Sequence, residues 1–179
     1  MREHHGHLSD DEIKGWFAGR IPQDMFTGPP EVTIDRDEIL IVGALADVDA
    51  GKDASAEALR AARAGRIKQH REDTREARMG IAREAEHRFR KKVSWGASSG
   101  DVTELFTMLS VPVMTRLRMS EREVLDTLVD AGVARSRSHA LAWCVRLVEE
   151  HQGEWISKLR EALTSVQQVR SEGPGFGSV

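Results

Sequence analysis

The sequence predicts a mainly α-helical chain with small β elements, and three observations carry that expectation. From Ala54 to about Val93 there is no proline, and alanine, arginine and glutamate dominate, which favours a long helix. Beyond Ser120, apolar residues recur at helical spacing through Val124, Leu125, Leu128, Leu141, Val145 and Val148. β-Branched and apolar residues alternate or cluster at 31–34, 38–43 and 113–117, which suits short strands.

The elements follow in order. Ser9-Asp10-Asp11-Glu12 has the spacing of a capping box, so a short helix begins there, with Ile13, Trp16 and Phe17 on one face. Gly19 and then Pro22 end it. Thr27-Gly28-Pro29-Pro30 is loop chemistry, and residues 31–34 and 38–43 read as a hairpin around Asp35-Arg36-Asp37. The long helix has a thin apolar stripe of Leu59, Ile67, Ile81, Ala85 and Phe89, interrupted by His70, Thr74 and Ala77. Trp95-Gly96-Ala97-Ser98-Ser99-Gly100-Asp101 reads as a break between modules, with Ser99 or Asp101 capping a short helix through Leu105, Phe106 and Leu109 until Pro112. After Glu150 the helical pattern continues through Trp155, Leu159, Leu163 and Val166, with Gly153 as the interruption, and residues 171–179 form a flexible tail.

Four segments result: an acidic helix and hairpin module over 1–51, a long basic helix over 52–94, a strand and helix domain with a helical extension over 101–170, and the tail. A chain of 179 residues suits one domain with extensions or two small modules. Cys144 is the sole cysteine, so no internal disulfide forms, and no apolar signal segment opens the sequence. A cytoplasmic protein is expected. The longest apolar run, Ile39 to Ala46, is far shorter than the roughly 20 residues of a membrane span.

The net charge of −3 conceals a segregation. Residues 1–51 hold 4 basic against 11 acidic groups (net −7), whereas residues 58–92 hold 12 against 5 (net +7). Arg63, Arg66, Arg71, Arg75, Arg90, Lys91 and Lys92 in that block are candidates for nonspecific polyanion contact. The plainer reading is a solvated helix whose counterweight is the acidic N-terminal part.

The most informative stretch is 111–150. Val113, Thr115 and Leu117 fall on one strand face and Met114 and Arg116 on the other. A helix then runs through Glu121, Val124, Leu125 and Leu128, Gly132 stops it, and Ser136-Arg137-Ser138 opens a second helix. This order of strand, helix, turn and helix resembles the ribbon-helix-helix superfamily of Arc, MetJ and CopG type. Leu117, Leu125, Asp126, Leu128, Gly132 and Ser136-Arg137-Ser138 stand where that pattern expects them.

The resemblance implies a homodimer, because one strand with two helices is too small to bury a core alone. Val113, Leu117, Val124, Leu125, Leu128, Leu141, Val145 and Val148 would form the shared core. It further implies a β-ribbon in the major groove of double-stranded DNA, with Met114, Arg116 and Arg118 as base contacts and the amides around Ser136, Arg137 and Ser138 as a phosphate clamp. The sequence departs from the pattern at Pro112 and Met114, which offer no polar readout, at His139, where a glutamate is common, and at Ala142-Trp143, where a charged pair is common.

The expected function is thus a DNA-binding transcriptional regulator. The alternative is a dimer that serves as an interaction scaffold, antitoxin-like or associated with RNA or the ribosome, with residues 1–92 meeting a protein or RNA partner. No phosphate loop, dinucleotide fingerprint or nucleophile elbow occurs, so neither an enzyme nor a cofactor is expected. His4, His5 and His7 could meet a metal, but they lack a second ligand pair and read as a solvated tail.

Overall fold

The computed structural model describes residues 9–51 and 53–172. The chain divides into two compact units, Met1–Pro112 and Val113–Val179. His4, His5, His7 and residues 173–179 of the expected tail lie outside the described residues, while Ser171 and Glu172 still belong to the last helix. Most described residues are helical, accompanied by one four-stranded sheet.

In the first unit, α1 (Asp10–Arg20) opens on the expected capping box, with the Glu12 amide donating to Ser9 Oγ and the Ser9 amide to Glu12 Oε2. Ile13 and Phe17 are buried, and Trp16 meets Phe89 edge-on at 5.3 Å. Strands β1 (Glu31–Ile34) and β2 (Glu38–Ala44) pair antiparallel as the expected hairpin. Asp35 Oδ1 fastens their turn by accepting from the Asp37 and Glu38 amides.

The long helix divides at Thr74 into α2 (Ala56–Asp73) and α3 (Arg75–Phe89). The Thr74 hydroxyl donates to the His70 carbonyl at 2.6 Å, a local bond that competes with the helical ladder. The expected stripe is borne out by burial of Ile67, Ile81, Ala85 and Phe89. Arg90, in the left-handed region at φ 58°, then stops α3 with its amide on the Glu86 carbonyl.

The expected break at 95–101 and the helix after it are overturned. Residues 92–99 form β3 (Lys92–Ser99), and β4 (Val102–Leu105) returns beside it through a turn at Gly100 and Asp101. The sheet order is β1-β2-β3-β4, with β2 and β3 parallel and the α2–α3 pair as their crossover. Trp95-Gly96-Ala97 looks like loop because it is rich in small residues. It forms a strand because neighbours on both sides satisfy its backbone, and Gly96 leaves room for the side chain of Leu105.

Register places Ile39, Ile41, Val93, Trp95 and Ala97 on the sheet face that joins Phe17, Ile67, Ile81 and Phe89 in one core. At the β3–β4 turn, the Arg63 guanidinium lies over Gly100 and pairs with both Asp47 and Asp101.

The second unit holds α4 (Met119–Asp130) and α5 (Arg137–Glu172). Gly132, at φ 74°, lies in the connection as expected of a helix stop. Gln152 leaves helical geometry beside the expected interruption at Gly153. The core is small: Leu125, Ala134 and Ala140 are buried, with Leu117, Leu128, Val129, Leu141 and Cys144 packed around them. Residues 107–118 carry no helix or strand pairing, so the expected strand at 113–117 is unpaired in the single chain.

Candidate nucleic-acid interface

Each residue expected to meet DNA can be placed. Met114 is 97% exposed, and Arg116 and Arg118 are exposed beside it in the segment before α4. Arg118 is the N-cap of α4: its amide donates to Glu121 Oε2 at 2.6 Å, and its carbonyl accepts from the Arg122 amide. The cap fixes the backbone there while leaving the guanidinium at the surface.

At the start of α5, Ser136 Oγ accepts the His139 amide at 3.2 Å, and Ser138 is exposed. His139 Nδ1 accepts the Arg135 amide, so its side chain helps to close the turn. The Arg137 side chain is engaged within the unit. Its Nε and Nη2 donate to the two carboxylate oxygens of Asp126, both at 2.6 Å. This pair occupies the Arg137 guanidinium, whereas the expected clamp draws on the amides around Ser136, Arg137 and Ser138 and not on that side chain.

The basic block in the first unit is similarly divided. Arg63 is held by Asp47 and Asp101, which leaves it outside the set of free cations. This pairing holds the Asp47 carboxyl at about 2, through the hydrogen bonds from Arg63 and from the Val48 amide. Lys91 Nζ donates to the carbonyls of Asp35 and Arg36, and Lys92 Nζ pairs with Glu86 at 3.0 Å. Arg66, Arg71, Arg75 and Arg90 are exposed and pair with no carboxylate among the described residues.

Sequence reasoning missed Arg78. It is buried, its Nε donates to Thr74 Oγ1 and its Nη2 to the Arg71 carbonyl, and its guanidinium lies 4.6 Å from the centroid of Phe106. No charge count distinguishes it from the exposed arginines around it. The signal that could have found it is position: Arg78 lies three residues before Ile81 and seven before Ala85, on the inner face of α3.

Comparison with known proteins divides the chain in a similar place. Residues 11–105 match the family described as Rv1265-like protein, N-terminal domain, and residues 118–170 match the Mb1296 C-terminal domain. The interval between the two matches contains the boundary between the compact units. Similar proteins include Rv1265 of Mycobacterium tuberculosis strain H37Rv, MT1303 of strain CDC 1551 and Mb1296 of Mycobacterium bovis. Each is 53% identical over 159 residues, which spans 89% of this chain and 69% of the relative. No solved structure matches. With its N-terminal match covering more than half of its length and its relatives this similar, the chain belongs to the Rv1265-like family.

Proposed function

We propose that residues 111–150 pair with a second copy as a ribbon-helix-helix dimer, and that the dimer binds double-stranded DNA as a transcriptional regulator. The observation that supports this reading is the state of the second unit in a single chain. Val113 is 86% exposed, Val124, Val145 and Val148 are exposed, and the segment before α4 lacks backbone pairing. Pairing two such segments antiparallel would satisfy the ribbon backbone and cover the apolar residues that the small core leaves at the surface.

In that dimer Arg116 is the principal reader, since a guanidinium can donate two hydrogen bonds to guanine in the major groove. Met114 would add apolar contact to a thymine methyl, and Arg118 would stand at the groove edge. The exposed arginines of 58–92 would add contacts without sequence preference.

The test is fluorescence anisotropy with a pooled library of genomic duplexes, recovering and sequencing the bound fragments for wild type and Arg116→Ala. Wild type enriches a palindromic or repeated motif, and the variant loses that enrichment. Equal binding of every fragment by both proteins, or no binding by either, removes DNA reading and leaves the dimer as an interaction scaffold.

A further inference from the structure

We propose that the surface where α2, α3 and β4 meet is a discrete binding site for a phosphate group, with Arg78, Arg71 and His70 as its donors and Phe106 as its floor. The site lies wholly in the first unit and does not depend on the DNA reading of residues 111–150.

Arg78 carries the argument. It is 7% exposed and has no carboxylate partner among the described residues. Arg20 pairs with Glu84, Arg63 with Asp47 and Asp101, and Arg137 with Asp126, while Arg83 and Arg122, which bond only to carbonyls, are exposed to water. A buried guanidinium costs desolvation that an opposite charge ordinarily offsets. Arg78 has instead two neutral oxygens, which occupy Nε and Nη2 and leave Nη1 without a protein acceptor. Burial, with the charges of Arg71 and Arg75, pushes this group down to about 10.

The surroundings are rich in donors. The His70 ring lies 6.4 Å from that of Phe106, and its buried Nε2 has no hydrogen-bond partner. Arg71 lies 5.8 Å from the Phe106 centroid. The Phe106 amide donates to the Trp95 carbonyl, so Phe106 is fastened to a core strand whose buried indole N–H has no partner among the described residues and reports on the region. Arg66 and Arg75 add positive charge, and Asp73, which accepts from Gln69, is the carboxylate whose charge acts on His70. An anion with several acceptor oxygens fits this set better than a carboxylate, because Arg78, Arg71 and His70 approach from two helices and each needs its own acceptor. That chemistry is available from a small phosphorylated ligand or from a nucleic-acid backbone.

The test uses the full ¹⁵N-labelled chain, titrated at fixed ionic strength with inorganic phosphate in one arm and a short DNA duplex in the other. The Trp95 indole and His70 ring signals are followed. A saturable shift is expected, and Arg71→Gln weakens it about tenfold or more, as befits a hydrogen bond to a charged group. Arg71 is exposed, so folding is not at stake, whereas Arg78→Gln would lose the site together with some stability. Lys14→Gln removes the same charge from an exposed position on α1, outside the basic block, and leaves the affinity unchanged. Saturation by phosphate identifies a small phosphorylated ligand. Saturation by the duplex alone, still weakened by Arg71→Gln, identifies a nucleic-acid backbone. Either supports the site. No saturable shift in either arm, or equal weakening by Lys14→Gln, overturns it.

Discussion

Arg137 on α5 grips Asp126 on α4 through two parallel hydrogen bonds of 2.6 Å, and this pair ties the two helices that flank the Gly132 turn. The hydrogen bond from Arg137 holds the Asp126 carboxyl below its ordinary value, with the charges of Arg137 and Arg122 acting in the same direction. A carboxyl depressed in the folded state stabilises it above the unfolded value of about 3.9, and that contribution is lost as pH falls through the lower folded value. Asp126→Asn should therefore lower the denaturation midpoint at neutral pH, and the difference from wild type should vanish in acid. Denaturant titrations followed by circular dichroism across pH provide the check, and a constant difference at every pH would contradict it.

Gly43 and Phe26 make a second tight relationship, because a Cβ at Gly43 would lie 2.1 Å from the Phe26 ring. Gly43→Ala must displace a buried ring that also faces His70 at 5.3 Å. A loss of about 1–3 kcal/mol is expected from overpacking. Gly15→Ala on α1, where nothing stands within 4 Å, should be neutral or slightly stabilising. Thermal unfolding of the two variants side by side tests the contrast.

His70 gives a prediction in mild acid. Burial, then the charges of Arg78 and Arg66, keep its imidazole below the ordinary value, with Asp73 opposing. The unfolded chain therefore takes up a proton that the folded chain resists. Stability associated with His70 is full above about 6.5 and declines as pH falls from there. In phosphate-free buffer, His70→Gln should flatten the decline in melting temperature over that interval. Parallel curves for the two proteins would show that His70 is not responsible.

These relationships mark what was legible in the sequence and what was not. Local chemistry was readable: the Ser9 to Glu12 box, the Asp35 turn and the Gly132 stop depend on residues three or four positions apart. The pairing of β3 with β2 was not. It joins Ile41 to Trp95 across the whole α2–α3 crossover, and the run of small residues after Trp95 has weak strand preference of its own. Within the candidate interface, the capture of Arg137 by Asp126 was not legible. Eleven positions separate those two residues, beyond the reach of helical spacing rules. Arg78 escaped notice because its burial depends on where Phe106 and Thr74 fall in three dimensions.

DNA binding by the proposed dimer should be steeply salt-dependent. If each chain places three arginines on phosphates, the dimer displaces about six counterions, and affinity falls by roughly 10³ between 50 and 200 mM salt. Anisotropy titrations over that range measure the slope, and a flat dependence would remove the phosphate contacts from the account.

The central claim is that the segment before α4 is half of an intermolecular ribbon, and amide hydrogen exchange of Val113 to Leu117 in the full chain tests it most directly. Protection that appears as protein concentration rises, together with a dimeric sedimentation mass, is the predicted result. Exchange at the rate of an unpaired chain at every concentration, with a monomeric mass, would contradict it.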